Sequence, residues 1–185
     1  MSNPSNTYPT VTIDVVLDRQ TAKEVLRGVL HSILFHRLFG TVVPQTFEVL
    51  DVTMPGISDA DMERLIDEKV NAFWKGIESG TNRRGQIVLT FSEKRPKKSW
   101  FQIYEEEVPW EQWVVNAELR QLKTERDPQA FNATLSNSLT HALRVILTHT
   151  SSLRGRTAVP PITKVDGISP FPLKMAVRMG GVEIG

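Results

Sequence analysis

Cysteine is absent from all 185 positions, which rules out disulfides, thiolate metal sites and cysteine nucleophiles and fits a reducing cytosol. Net charge is almost absent too. The 22 Lys and Arg stand against 21 Asp and Glu, leaving +1, so no global field steers the chain toward nucleic acid or an anionic membrane. Any such attraction has to be local. No apolar run approaches the roughly 18 residues of a membrane span, and MSNPSNTYPT lacks the cationic start and apolar stretch of a signal peptide. Asn132-Ala133-Thr134 forms a glycosylation sequon, read as chance without a secretory signal. What is present is an ordinary globular mixture, 40% apolar and 23% charged, long enough for one domain with its own core and too short for two.

Apolar periodicity divides the chain. Val11, Ile13 and Val15 alternate with Thr12 and Asp14, predicting a strand over 10–17 with one buried face. Asp18 is the expected N-cap of a helix over 19–39. There Ala22, Val25, Leu26, Val29, Leu30, Ile33 and Leu34 recur at three- and four-residue spacing, and Gly40 supplies the stop. Its apolar surface is wider than a stripe, which places it deep in the fold. Residues 41–53 are strand-like, but Pro44 puts them at an edge or after a bend, and Pro55-Gly56 reads as a turn. Ser58 with Asp61 approximates a capping box for a second helix through about Ser79. Its inward face is Leu65, Ile66, Val70, Phe73, Trp74 and Ile77, and Gly80 closes it.

Strands are expected over 86–92 and 108–119, with a basic segment between them that is either a hairpin tip or a long connector. A third helix is predicted from about Pro128 to Leu153, with Phe131, Leu135, Leu139, Ala142, Val145 and Ile146 on one side and Leu143 and Leu147 widening it. Asn137, Thr140, His141, Arg144 and Thr148 fall on its other side. RGRTAVPPITK ends the regular structure, and FPLKMAVRM alternates as a last strand. The order β-α-β-α-β-β-α-β, with no repeat or low-complexity tract, is that of a single α+β domain.

Catalytic and metal patterns are missing. His31 and His36, and His141 and His149, are spaced by five and eight, which does not put either pair on one helical face as a metal clamp requires. They read as core-edge or surface imidazoles. Glu105, Glu106 and Glu107 are consecutive on a strand and point to alternate faces, so they do not converge on a substrate. MGGVEIG and NRRGQ hold glycines without a phosphate-binding layout, and no serine sits in a nucleophile elbow. No cofactor is implied.

One stretch stands out: KRPKKSWFQIYEEEVPWEQW, residues 94–113. Trp100 and Phe101 follow directly on Lys94, Arg95, Lys97 and Lys98. Either the rings fold inward past the charge or they point outward for a partner. Cations followed by aromatics can grip single-stranded nucleic acid or lie at a membrane interface. A nucleic-acid or membrane-surface module using loop 94–101 is therefore the alternative function. Trp110 and Trp113, three apart on a strand, are expected on opposite faces.

VLHSILFHR (29–37), KKSWF (97–101) and VPWEQW (108–113), in this order and at these separations, resemble the autophagy-related protein 101 family, HORMA-domain subunits of the autophagy-initiation complex. The resemblance covers most of residues 10–150, with FPLKMAV a weaker match. It implies a HORMA-like domain over 10–185 after a flexible N-terminus (1–9), with three main helices on a mixed or antiparallel sheet, of the open, unlatched type. The implied role is non-enzymatic. The protein would form a heterodimer with the HORMA domain of autophagy-related protein 13 and stabilise it, and would engage the scaffold of the autophagy-initiation kinase complex. It would recruit downstream autophagy factors through the loop the family calls the WF finger. That loop carries over to Trp100 and Phe101, with Lys97 and Lys98 beside them; here the two rings are adjacent. Membrane contact is compatible with this role and nucleic acid is not expected. HORMA dimers use the third helix, so Asn137, His141, Arg144 and Thr148 become the expected partner surface. The implied location is the cytoplasm and the pre-autophagosomal structure, and functions carried by a longer tail in relatives are expected to be missing.

Overall fold

The computed structural model describes residues 7–121 and 127–185; most of the expected flexible N-terminus, residues 1–6, lies outside them. In chain order the elements are β1 (Thr10–Leu17), α1 (Ala22–Arg37), β2 (Val43–Val49), β3 (Val52–Ser58), α2 (Ala60–Ser79), β4 (Arg84–Lys98), β5 (Ile103–Leu119), α3 (Pro128–Ser151), α4 (Leu153–Ala158), β6 (Leu173–Met179) and β7 (Val182–Glu183). The expected α+β class holds, with four described helices where three were predicted. Five strands form a mixed sheet in the order β1-β5-β4-β6-β7, in which β1 runs parallel to β5 and the other pairs are antiparallel. β2 and β3 form a separate hairpin.

The core follows the predicted alternation. Ile13, Leu17, Trp113, Val115, Ile87, Leu89 and Val177 turn inward and are closed over by α1, α2 and α3. On the opposite face Asn116 donates to Asp14 at 2.9 Å and accepts from Gln86 at 2.8 Å, a polar row across three strands. α1 is buried nearly all round, from Val25 and Leu26 to Ile33 and Leu34, as its wide apolar surface predicts.

Several boundaries differ for local reasons. The Asp18 carboxylate closes a turn onto the Thr21 N–H at 2.9 Å, so α1 starts later than predicted, with Thr21 as its cap. The helix ends when Phe39 enters the left-handed region at φ 56°. Gly40 contributes closeness instead: a Cβ there would lie 2.2 Å from the Ile168 carbonyl carbon.

Residues 41–53 are not one strand. Leu50 and Asp51, at φ 50° and 60°, make the tight turn whose twist suits a two-residue hairpin, and Val49 pairs with Val52. Pro55 and Gly56 are therefore inside β3, opposite Thr46 and Gln45, and not in a turn. Ser58, paired with Val43, is still strand, so Asp59 caps α2 instead, accepting from the Met62 N–H at 3.0 Å. The segment 154–164 is not wholly irregular. Ser152 accepts from the Gly155 N–H at 2.9 Å and starts α4.

Candidate functional site

β4 and β5 outrun their neighbours. β6 pairs with β4 only along Gln86–Phe91, and β1 pairs with β5 only from Gln112 onward. Beyond Ser92 and Pro109 the two strands pair with each other alone, up to Lys98 opposite Ile103. That free ribbon projects roughly 20 Å at about 3.4 Å per residue. The segment expected as a basic loop is thus mostly strand, and of the two readings left open the hairpin tip is the observed one.

Ser99 to Gln102 turn the chain, with the Ser99 N–H donating to the Gln102 carbonyl at 2.9 Å. Trp100 and Phe101 are the two residues between them, 92% and 88% exposed. Ile103 and Tyr104 extend the exposed apolar surface behind them. Lys97 and Lys98 sit on the last strand positions before the turn, so the structure brings all four expected loop residues together.

The ribbon's cations are largely matched by its own acids. Lys97 reaches Glu106 at 3.4 Å, Lys94 lies 3.9 Å from Glu105, and Arg95 contacts Glu93. The hydrogen bond from Lys97 to Glu106, reinforced by that charge, raises the lysine pKa above its ordinary value. Lys98 is the one of the four without an ion pair among the described residues. Opposite charges across an antiparallel pair favour one register. A strand lined with them resists edge-to-edge association.

At the root of the ribbon the sheet is irregular. Phe91 pairs with Glu111 and Ser92 with Pro109, so Trp110 is an extra residue in β5. A bulge of this kind redirects side chains. Trp110 and Trp113 were expected on opposite faces; instead both are buried in the same core cluster. Trp110 packs against Phe91 and Phe171, with ring centroids 5.6 and 5.1 Å away.

Beside the bulge lies a charged group that sequence reasoning missed. Glu111 is fully buried and accepts from Arg37 Nε and Nη2 at 2.8 and 2.9 Å, from Trp113 Nε1 at 2.7 Å, and from the His149 ring at 2.5 Å. Burial alone would raise the carboxyl pKa. The bonds from His149 and Arg37, the Arg37 charge and the Trp113 bond outweigh it and hold Glu111 below the usual carboxylate range. Arg37 also donates to the Gly155 carbonyl at 2.9 Å. The available signal was position: Glu111 shares the inward alternation of Trp113, Val115, Ala117 and Leu119, and Arg37 ends an otherwise buried helix.

The second expected surface is on a different element. Asn137, His141, Arg144 and Thr148 are all exposed along α3. Leu143 packs against the core as expected, but Leu147, expected to widen that side, is 47% exposed beside the polar stripe instead. Of the histidines, His31 is buried, His36 Nδ1 donates to the Ser32 carbonyl, His141 is exposed and His149 meets Glu111. Among the described residues no group of three or more His, Asp or Glu is placed to hold a metal ion. No described helix is long and apolar enough to cross a membrane.

The family model described as Autophagy-related protein 101 matches residues 14–166, a span that contains the tip, the buried cluster and the α3 surface. The chain is 32% identical over 162 residues to autophagy-related protein 101 of Schizosaccharomyces pombe, covering 88% of this chain and 84% of that protein. It is 38% identical over 102 residues to the Arabidopsis thaliana protein of that name, 54% of this chain and 47% of the relative. With the Homo sapiens protein it shares 29% over 133 residues, 63% and 60% of the two chains. The matches thus span about half of the plant relative and under two thirds of the human one.

Proposed function

Because this chain belongs to the autophagy-related protein 101 family, we propose that it acts in autophagy as a non-enzymatic adaptor of the HORMA class. Residues 10–185 form one HORMA-like domain, and β7 returning along the edge of β6 suits the open, unlatched type. The domain pairs with the HORMA domain of autophagy-related protein 13, joins the initiation kinase complex through its scaffold, and works in the cytoplasm at the pre-autophagosomal structure.

The observation that carries this reading is the exposure of Trp100 and Phe101 at the end of a ribbon whose charges are mostly internally paired. Each ring gains about 1.5–3 kcal/mol on entering a partner's apolar pocket, before the costs of association. Exposed ion pairs contribute about 0–1 kcal/mol. The rings are therefore the anchors, and downstream factors are recruited through them. The α3 surface of Asn137, His141, Arg144 and Thr148 is the proposed HORMA interface; polar residues of this size suit a wet contact.

The phosphate-binding alternative for residues 94–101 loses support from the ribbon's own glutamates, which already occupy Lys94 and Lys97. Salt titration separates the two readings. Binding to phosphates or headgroups weakens steeply with ionic strength, and an apolar anchor does not. The deciding experiment is affinity purification of the tagged protein with and without Trp100→Ala plus Phe101→Ala. Recovery of the HORMA partner by both baits, with loss of other proteins from the variant, supports the adaptor role; identical recoveries remove the tip from it.

A further inference from the structure

We propose that Arg37, Glu111 and His149 form a positioning device that fixes the direction in which the projecting ribbon presents Trp100 and Phe101, and ties that direction to the end of α3.

The argument begins with where the ribbon leaves the sheet. β6 ends its pairing at Leu173 opposite Phe91, and the last bond on that side runs from the Ser92 N–H to the Pro172 carbonyl at 3.0 Å. On the other side the last bond runs from the Gln112 N–H to the Pro9 carbonyl, also 3.0 Å. Glu111, paired with Phe91, lies at that level. One residue further along, Trp110 is the bulge. Everything beyond is held by its own ladder alone, so the direction of the tip is set at this root.

Three elements converge on that point. The Arg37 fork from the end of α1 takes both carboxylate oxygens of Glu111, and its guanidinium carbon lies 5.8 Å from the centre of the Trp110 ring. His149, from the last turn of α3, bonds the same carboxylate, and its ring stands edge-on to Trp113 at 5.3 Å. Arg37 further holds the Gly155 carbonyl at the start of α4. That junction has no slack, since a Cβ on Gly155 would lie 1.9 Å from the His149 carbonyl oxygen.

The chemistry fits a geometric role. A bidentate guanidinium–carboxylate pair is directional as well as attractive. Buried ionic networks contribute little net stability compared with apolar replacements, but when every member is satisfied they hold one arrangement. His149 directly follows Thr148 of the α3 surface, so an event on that surface and the pose of the ribbon share one carboxylate. That functional consequence rests on the adaptor reading above; the geometric claim does not.

The absence of cysteine allows site-specific spin labels without background. Labels at Gln102→Cys on the tip and Glu68→Cys on α2 report the ribbon's pose by pulsed electron–electron distance measurement. Labels at Glu68→Cys and Arg144→Cys report the helical body. A narrow tip-to-body distribution is expected in the otherwise unaltered chain. In Glu111→Gln and in His149→Ala it shifts or broadens while the body distribution is unchanged. If Glu111→Gln does not fold, His149→Ala decides. An unaltered tip distribution in the folded variants, or a broad one in the parent, overturns the proposal. Full recruitment despite a broadened distribution would count against the adaptor reading of the tip and leave the positioning role standing.

Discussion

Arg37 and Glu111 meet as a two-pronged ion pair inside the core: the guanidinium Nε and Nη2 donate to the two carboxylate oxygens at 2.8 and 2.9 Å, and both side chains are shut off from water. Removing one partner leaves the other charge buried and unmatched, which costs about 3–5 kcal/mol. Glu111→Ala is therefore expected to lower Tm by on the order of 10 °C. Replacing both, Arg37→Met with Glu111→Leu, removes the stranded charge and is expected to cost less than either single change. Calorimetry of the three variants checks this; a double variant as damaged as the sum of the singles would contradict it.

Trp100 and Phe101 give the opposite result. Their side chains touch almost nothing within the domain, so Trp100→Ala with Phe101→Ala is expected to change stability by less than about 0.5 kcal/mol. The circular dichroism spectrum and Tm should match the parent's, and HORMA-partner binding should persist. A large drop in Tm would place the rings in the core and end their assignment to recruitment.

Much of this was legible from residue spacing. The inward faces of β1, α1, α2 and α3 follow directly from periodicity, because a residue's side of an element is fixed by its number along it. What spacing could not supply was set by contacts distant in sequence. The bulge at Trp110 depends on how β4 pairs with β5, so the two tryptophans share a face that alternation denies them. Leu50 and Asp51 carry the hairpin turn at positive φ without the glycine that announces such turns, while Pro55-Gly56, which looks like one, is strand. Alternation puts Glu111 on the inward side with Trp113 and Val115, but spacing does not name its partners, which arrive from α1 and α3 as Arg37 and His149.

Arg144 lies near the middle of the exposed α3 stripe and supplies its charge. If that stripe meets the HORMA partner, Arg144→Glu reverses the charge at the contact and is expected to raise the heterodimer Kd roughly tenfold, a cost of about 1.4 kcal/mol. The change sits on solvent-facing helix, so the variant's own Tm should hold. Isothermal titration against the partner domain reads the effect. An unchanged Kd would move the interface to another face.

His31 makes acid sensitivity predictable in sign. It is 1% exposed, its ring centre lies 4.5 Å from that of Phe47, and its Nδ1 accepts the Ile57 N–H at 3.3 Å. Burial is the largest influence on its pKa and, against the opposing pull of Glu63, brings it down from 6.5 to about 4. Between those two values the unfolded chain takes up a proton that the folded one refuses. Stability contributed by neutral His31 is thus complete above pH 6.5 and is lost as pH falls toward 4, at up to about 1.4 kcal/mol per unit. Protonation also turns Nδ1 from acceptor to donor against the Ile57 N–H, so β3 loses a bond to α1 as the charge arrives. Urea midpoints at pH 7, 6 and 5 should fall in the parent and fall less in His31→Asn, whose amide oxygen can still accept from Ile57 without titrating. Equal slopes in the two proteins would mean that another group governs the acid limb.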